Sequence, residues 1–267
     1  MFLTKKGLWK VLIIGIAYFF LGSFSVAAGA VLAFFGAGSK LLFVLGTVCF
    51  VMCPLCVAWG MYAEGKGKFI NLGNKLVRNE LKPAVFIREY EQLRNTAGLV
   101  LNKPSIEVLR LAAVAYDALD DRENSLSSVE EMIAAAGEKK KVFANLIKSS
   151  YLFSYGMVEE AEALFAEACA AKQDISCRVL AEAILVSDRA MAMEEYKTAE
   201  NYYQKMLTQT FPKLDPLSKL VIHFALGEIY EKTQDREQAI FHYTYCVDHG
   251  GETAIKESAR SALERVQ

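Results

Sequence analysis

The chain divides into two parts that differ in their pattern of hydrophobic and polar positions. Residues 11–35 and 41–62 are nearly unbroken apolar runs, joined by the short link 36–40. From residue 63 onward, apolar residues recur every three or four positions, and no stretch alternates between apolar and polar residues as a strand would. The pattern predicts an all-α protein in which two long apolar helices precede many shorter amphipathic ones.

The two apolar runs are long enough to span a membrane. At about 1.5 Å per residue, such helices would extend roughly 37 Å and 33 Å, and the hydrocarbon core of a bilayer is about 30 Å thick. Because the link is short, the two helices must run antiparallel. We therefore expect residues 1–62 to form a two-helix transmembrane hairpin that is integral to the lipid bilayer.

Charge distribution predicts the orientation of this hairpin. Of the 30 Lys and Arg residues, four lie in residues 1–62, whereas all 31 Asp and Glu residues follow that segment. The cations that flank the spans are Lys5, Lys6 and Lys10 on one side and Lys66, Lys68, Lys75 and Arg78 on the other, against Lys40 alone in the link. Basic residues concentrate on the cytoplasmic side of membrane proteins. Both termini should therefore be cytoplasmic, in a multi-pass protein of the cell membrane.

Small residues follow a seven-residue spacing in both predicted spans. The series are Gly15, Gly22, Gly29 and Gly36 in the first span, and Ser39, Gly46, Cys53 and Gly60 in the second. A seven-residue period keeps one seam of a helix facing its partner, and small residues on that seam let two backbones approach closely. The seams are expected to pack against each other within the hairpin, with a second copy of the chain as the alternative partner.

Two other interpretations of the N-terminal part stay open. Small residues at 28–30 resemble a signal-peptide cleavage site, and cleavage there would turn the remaining domain outward as an assembly or folding factor. Cys53 and Cys56 form a C-x-x-C pair, which would suit a membrane thiol redox protein. No His, Asp or Glu is near them in sequence, so small buried packing residues are the favoured interpretation.

The pattern of the remaining residues predicts a series of helices. Residues 63–103 are expected to form an amphipathic juxtamembrane segment and a lead-in helix that begins near Pro83. The later helices are predicted at Ile106–Leu119, Ser128–Ala136, Phe143–Tyr155, Val158–Ala170, Arg178–Met193, Thr198–Thr208, Leu217–Lys232, Glu237–Asp248 and Thr253–Val266. Gly137, Gly156, Pro212, Pro216 and Gly250-Gly251 mark several of the breaks between them, as is typical of helix ends.

Residues 220–253 carry a recognisable repeat motif. Leu226, Gly227 and Tyr230 lie in its first helix, and its second helix contains Ala239, Tyr243 and Cys246. This spacing resembles the 34-residue tetratricopeptide repeat, which packs two helices into a hairpin. The resemblance implies that the two helices touch most closely at Gly227 and Ala239.

Earlier segments resemble the same repeat. The copies start near positions 106, 142, 180 and 220, with linkers of varying length, and together occupy residues 104–251. Further signature positions are Gly156, Ala161, Phe165 and Ala168 in the second copy, and Ala199 and Tyr203 in the third. The family resemblance implies an α-solenoid, with residues 252–267 as its capping helix.

The resemblance also implies a binding surface. In tetratricopeptide solenoids the concave face is built mostly from the first helix of each repeat and commonly binds peptides or protein segments. Carried over by register, that face comprises Phe143, Leu146, Phe153, Ile184, Asp188, Val221, Phe224, Glu228 and Glu231. It is apolar with acidic edges, so we expect a partner segment with apolar anchors and some Lys or Arg. The alternative is that the register of these helices differs by one residue from the one assumed here. Several of these side chains would then lie in the core.

Candidate chemistry is sparse. No catalytic or phosphate-binding motif is present. His242, Cys246 and His249 are spaced for one helix face and could hold zinc, but Cys246 falls on the small packing site of the repeat. The net charge of −1 without a basic cluster argues against a nucleic-acid partner. We therefore expect no enzyme, metal, cofactor or small-molecule substrate, but a membrane-anchored scaffold that binds protein partners at the cytoplasmic face.

Overall fold

The computed structural model describes residues 66–96, 104–171, 174–209 and 213–267. The chain forms two compact units, Met1–Phe69 and Ile70–Gln267. The predicted spans lie outside the described residues, and so does their packing series, which comprises Gly15, Gly22, Gly29, Gly36, Gly46, Cys53 and Gly60. Within the described ranges, no helix is both long and apolar enough to cross a bilayer.

The described residues of the second unit are mostly helical and include no strand, which confirms the all-α prediction for this part of the chain. Residues 70–73 are helical and run directly into a π-helical segment, Asn74–Asn79. The α-helices that follow are α1 (Pro83–Thr96), α2 (Ile106–Asp117), α3 (Arg122–Ala135), α4 (Glu138–Ser154), α5 (Val158–Ala170), α6 (Ile175–Val186), α7 (Asp188–Ala192), α8 (Tyr196–Thr208), α9 (Pro216–Lys232), α10 (Arg236–His249) and α11 (Ala254–Val266).

Side-chain caps fix where many of these helices begin. The capping residues and the backbone N–H groups that donate to them are Ser105 with Val108, Asp121 with Asn124, Asp174 with Cys177, Asp215 with Ser218, and Asp235 with Gln238. Each such cap satisfies a backbone donor that the first helical turn leaves free and contributes about 1 kcal/mol.

The same tight turn recurs between four pairs of helices. A residue with φ between 58° and 76° lies in each turn: Asp120 after α2, Gly156 after α4, Glu194 after α7 and Gln234 after α9. The next backbone N–H always donates to the carbonyl five residues earlier, as from Asp235 to Tyr230 at 2.9 Å. The spacing between successive turns equals the spacing between the predicted repeat starts, so each turn falls at the same place in its predicted repeat.

The hydrophobic core lies between the helices of each pair and between neighbouring pairs. Leu109 and Ala113 of α2 pack with Val129 and Met132 of α3 and with Ala144 of α4. A second cluster joins α4, α5 and α6 through Leu146, Leu152, Phe153, Ala161, Ala168, Cys177, Ala181 and Ile184. The small residues in both clusters let the helices approach closely, since each fills little space between the axes.

The third helix pair consists of α6–α8, because its first helix is broken into α6 and α7. The sequence predicts one continuous helix over Arg178–Met193, but α6 ends at Val186 and α7 starts at Asp188. Ser187 at the break has φ −115° and ψ −91°, which no α-helix accommodates. The break turns Asp188 toward α4, where Ser150 donates a hydrogen bond to it.

The beginning and end of the second unit lie in contact. The Glu252 N–H donates to the Leu81 carbonyl at 2.9 Å, and the Ala254 N–H donates to the Ala118 carbonyl at 2.8 Å. Arg78 forms an ion pair with Asp215 at 3.2 Å. The segment after the π-helical turn therefore binds the α10–α11 loop, and the row of helix pairs closes on itself instead of ending at a free cap.

Candidate functional site

The inner side of the closed row carries a half-open hollow of about 360 Å³. Its lining residues are Arg78, Val114, Asp117, Ala118, Ser187, Tyr202, Tyr203, Met206, Leu214, Leu217, Ser218, Val221, Ile222 and Ile255. The lining combines aliphatic side chains with two tyrosines, two serines, one carboxylate (Asp117) and one cation (Arg78). That mixture, apolar walls with a few polar groups, is typical of ligand-binding pockets.

Helical spacing places these side chains on the same inner surface. Val114 and Asp117 are three residues apart on α2, and Val221 follows Leu217 by four residues on α9, so each pair shares one face of its helix. Tyr202 and Met206 bear the same relation on α8. The hollow is therefore lined by residues of α2, α8 and α9, which belong to three different helix pairs.

Asp117 is the carboxylate of the hollow. It accepts a hydrogen bond of 2.7 Å from the Tyr155 hydroxyl. Burial raises the pKa of Asp117, the hydrogen bond from Tyr155 opposes that rise, and nearby Asp120 adds to it. Arg122 also stabilises the charged form of Asp117, but its own ion-pair partner is Asp120, at 3.1 Å.

A second carboxylate, Asp188, lies directly behind Ser187 of the lining. It accepts hydrogen bonds from the hydroxyls of Ser150 and Ser187. Burial raises the pKa of Asp188 to about 6, and repulsion from Asp117 adds to the shift. The adjacent Arg189 pairs with Glu162 at 2.5 Å, so Asp188 relies on hydroxyl donors alone among the described residues.

Arg110 lies two turns before Asp117 on α2. Desolvation and the nearby Arg78 lower the pKa of Arg110, because both disfavour its positive charge. Arg78 itself is neutralised by Asp215. The inner face of α2 is thus positive near Arg110 and negative near Asp117.

Three residues of the predicted concave face are wrongly assigned. Leu146, Phe153 and Ile184 are at most 2% exposed and belong to the core cluster between α4, α5 and α6. Phe143 is half-buried against the same cluster. A helix in the middle of a stack packs on two sides, so its apolar residues exceed one face, and the register alone cannot separate core from groove.

The other predicted residues have different positions. Val221 is 44% exposed and lines the hollow, and Asp188 lies behind Ser187 of that lining. Phe224 is half-buried, with its ring centroid 5.8 Å from that of Tyr243. Glu231 accepts a hydrogen bond from the Tyr243 hydroxyl at 2.7 Å and pairs with Arg265.

Glu228 is the last predicted residue of that face. Desolvation and repulsion from Glu231 raise the pKa of Glu228 to about 6. Arg265 and Lys232 act against this rise. The charges that surround Glu228 therefore belong to the α9–α11 side of the unit, and Glu228 is absent from the lining of the hollow.

The predicted repeat-signature residues lie at helix contacts. Those that are buried are Leu226, Tyr230, Ala239, Tyr243, Cys246, Ala199, Tyr203, Ala161 and Ala168. Phe165 is partly buried against the α4–α6 cluster, and Gly156 supplies the positive φ of its turn. Gly227 directly faces the Tyr243 ring.

Sequence reasoning missed a pair of buried histidines. His223 on α9 and His242 on α10 place their Nδ1 atoms 2.9 Å apart, and Tyr245 stacks on the His223 ring. Desolvation lowers the pKa of both histidines to about 4. The register of the predicted repeat could have revealed this pair, because it puts His223 and His242 on the facing sides of α9 and α10.

The zinc hypothesis finds no geometric support in this region. Cys246 is fully buried, and its thiol donates to the Leu220 carbonyl at 3.5 Å. His249 interacts with the Tyr245 carbonyl instead, at 3.0 Å from Nδ1. Within the part of the chain that the structure describes, no three His, Cys, Asp or Glu side chains are grouped to bind a metal ion.

Sequence reasoning also missed most of the hollow. Asp117, Tyr202 and Tyr203 belong to helices whose other residues suggested ordinary packing faces. A polar residue on an otherwise apolar face, such as Asp117 three positions after Val114, is the signal that could have found the site.

No protein-family model, curated protein or solved structure matches this chain.

Proposed function

We propose that the protein is a membrane-anchored adaptor whose helical-repeat domain holds a segment of a partner protein in the inner hollow, without catalysing a reaction. The observation that carries this proposal is the hollow itself, which separate helix pairs line with aliphatic, tyrosine and carboxylate groups. Grooves of this composition receive extended or helical peptide segments through apolar anchors and a few polar contacts.

Relationship to the tetratricopeptide repeats is part of the proposal. Four helix pairs share one turn geometry, with its left-handed residue at Asp120, Gly156, Glu194 and Gln234. Gly227 and Tyr243 also lie against each other, as the helix contact of that repeat requires. These features support an α-solenoid of repeat pairs, here closed by the contact between Leu81 and Glu252.

Anchoring would act through the local concentration of partners. The apolar runs 11–35 and 41–62 and their flanking cations support a cytoplasmic domain held at the membrane. Confinement to a surface raises effective concentration, so moderate affinity in the hollow would be sufficient for recruitment.

Site-specific photo-crosslinking tests the proposal. A photoreactive amino acid replaces Val221, which lines the hollow, or Val179, which is 61% exposed on α6 and serves as the matched control. In membranes from cells that express the full chain, we expect a discrete adduct from position 221 that is lost when Ser218→Trp fills the hollow. Equal adduct patterns at 221 and 179, or adducts that survive Ser218→Trp, would contradict it.

Cysteine labelling tests the orientation. Of the cysteines in the described residues, Cys169 is exposed, whereas Cys177 and Cys246 are buried. A membrane-impermeant maleimide should label Cys169 only after the cells are permeabilised, and Cys169→Ser supplies the background. Labelling in intact cells would instead support the outward-facing assembly factor.

A further inference from the structure

Neither Asp117, which lines the hollow, nor Asp188, behind Ser187, forms an ion pair among the described residues. Both are held from α4 and the turn that follows it, since Ser150 donates to Asp188 and Tyr155 donates to Asp117. The cations that follow them in sequence, Arg122 and Arg189, pair with other acids. A partly buried carboxylate that receives only hydroxyl donors remains electrostatically undercompensated.

The walls of the hollow suit an alkyl chain that ends in a positive charge. Val114, Met206 and Val221 supply aliphatic surface. Tyr202 and Tyr203 supply two rings with centroids 5.7 Å apart, inclined at 62°. Aromatic faces attract ammonium and guanidinium groups, and the attraction strengthens where water is excluded.

We propose that the hollow binds a Lys or Arg side chain of the partner protein, with its aliphatic stem against Val114, Met206 and Val221 and its cationic head at Asp117. Asp188, behind Ser187, strengthens the negative potential at that end. This inference rests on the proposed adaptor function and specifies which residue of the partner enters the hollow.

The remaining charges restrict where the cation binds. Arg78 is paired with Asp215 at 3.2 Å and adds little net charge. Arg110 is seven residues before Asp117, about 10 Å along the axis of α2. Its positive charge repels a second cation, so the Asp117 end is favoured for the basic head.

Small analogues of the side chain provide the test. The probes are n-butylguanidinium, which reproduces the end of an arginine, and n-butylurea, which has a similar shape without the charge. Binding to the full chain in lipid nanodiscs is measured by saturation-transfer NMR. We expect n-butylguanidinium to bind at least fivefold more tightly than n-butylurea.

Matched variants locate the binding. Asp117→Asn should remove the preference for the cation and leave n-butylurea binding unchanged, which also shows that the hollow stays folded. Asp248→Asn, an exposed carboxylate on α10, should preserve the preference. Equal binding of the two probes to the native chain, or a preference that survives Asp117→Asn, would overturn the inference.

Failure of this inference can be distinguished from failure of the adaptor function. If the adduct at position 221 persists in the Asp117→Asn/Asp188→Asn variant at its native yield, a partner occupies the hollow but no basic side chain is required. If position 221 gives no specific adduct in the native chain, the adaptor function fails, whatever the probes show.

Discussion

Gly227 on α9 lies directly against the ring of Tyr243 on α10. A Cβ atom added at Gly227 would come within 2.6 Å of Tyr243 Cε1 and 2.7 Å of its Cδ1. The ring has little room to retreat, because Tyr243 is fully buried and its hydroxyl donates to Glu231 at 2.7 Å. The closest approach of the two helices therefore depends on the absence of a side chain at position 227.

Replacing Gly227 by Ala should destabilise the helical domain. The added methyl group forces α9 and α10 apart or displaces Tyr243, and overpacking of this kind costs about 1–3 kcal/mol. Thermal and urea unfolding of the full chain in nanodiscs would measure the loss. Gly137→Ala is the control, because nothing lies within 4 Å of a Cβ at that position. Equal stability of the two variants would disprove this packing argument.

The repeated turns predict a stabilising substitution. Glu194 and Gln234 adopt φ of 59° and 63°, a left-handed conformation that costs a residue with a side chain roughly 1–2 kcal/mol. Glu194→Gly or Gln234→Gly should relieve this strain and stabilise the domain by about 0.5–1 kcal/mol after the entropic cost of glycine. Gly156→Ala, at φ 76°, should have the opposite effect. Melting temperatures that do not follow these opposite signs would contradict the assignment.

The histidine pair predicts loss of stability in mild acid. The folded-state pKa of about 4 for His223 and His242 is below the value of 6.5 for a free histidine. The unfolded chain therefore binds more protons between these limits, so the stability that is present above pH 6.5 decreases as the pH falls toward 4.

The groups around the pair add to the effect. His249 and Lys219 lower the pKa of His223 further, and among the described residues no carboxylate acts on either ring. Unfolding measured at pH 7 and pH 5 should show a smaller pH dependence for His242→Gln than for the native chain. His249→Gln, at the exposed end of α10, removes only the smaller contribution of His249 to the pKa of His223 and should retain most of the pH dependence. An unchanged pH dependence in His242→Gln would refute the role of the pair.

Asp188 predicts a pH dependence of the opposite sign. Its folded-state pKa of about 6 is above the usual value of 3.8, so its contribution to stability is full below pH 3.8 and is lost as the pH rises through 6. The difference corresponds to about 3 kcal/mol. Asp188→Asn keeps an acceptor for the Ser150 hydroxyl without the charge, so it should stabilise the chain at pH 8 and have little effect at pH 4.5. A variant that is less stable than the native chain at pH 8 would count against this account.

The local pattern of the sequence was sufficient for most helices. Val158–Ala170 was predicted with the bounds that the structure shows, because a glycine turn precedes it and its apolar residues follow a helical period. The start of α3 was placed too late, at Ser128 instead of Arg122. Ser125 and Ser128 are buried polar residues, and their hydroxyls donate to backbone carbonyls at Ala113 and Asn124. Such residues interrupt the apolar pattern without interrupting the helix.

The helical character, the four turns and the small residues at helix contacts follow from local sequence, because each depends on neighbours within a few turns of the chain. Burial of Leu146, Phe153 and Ile184 in the core, the break at Ser187 and the contact of Leu81 with Glu252 follow from packing across the whole unit. These outcomes depend on contacts between residues far apart in sequence, whose energies no local periodicity contains. The hollow lies where that closure brings Arg78, Ala118 and Ile255 together.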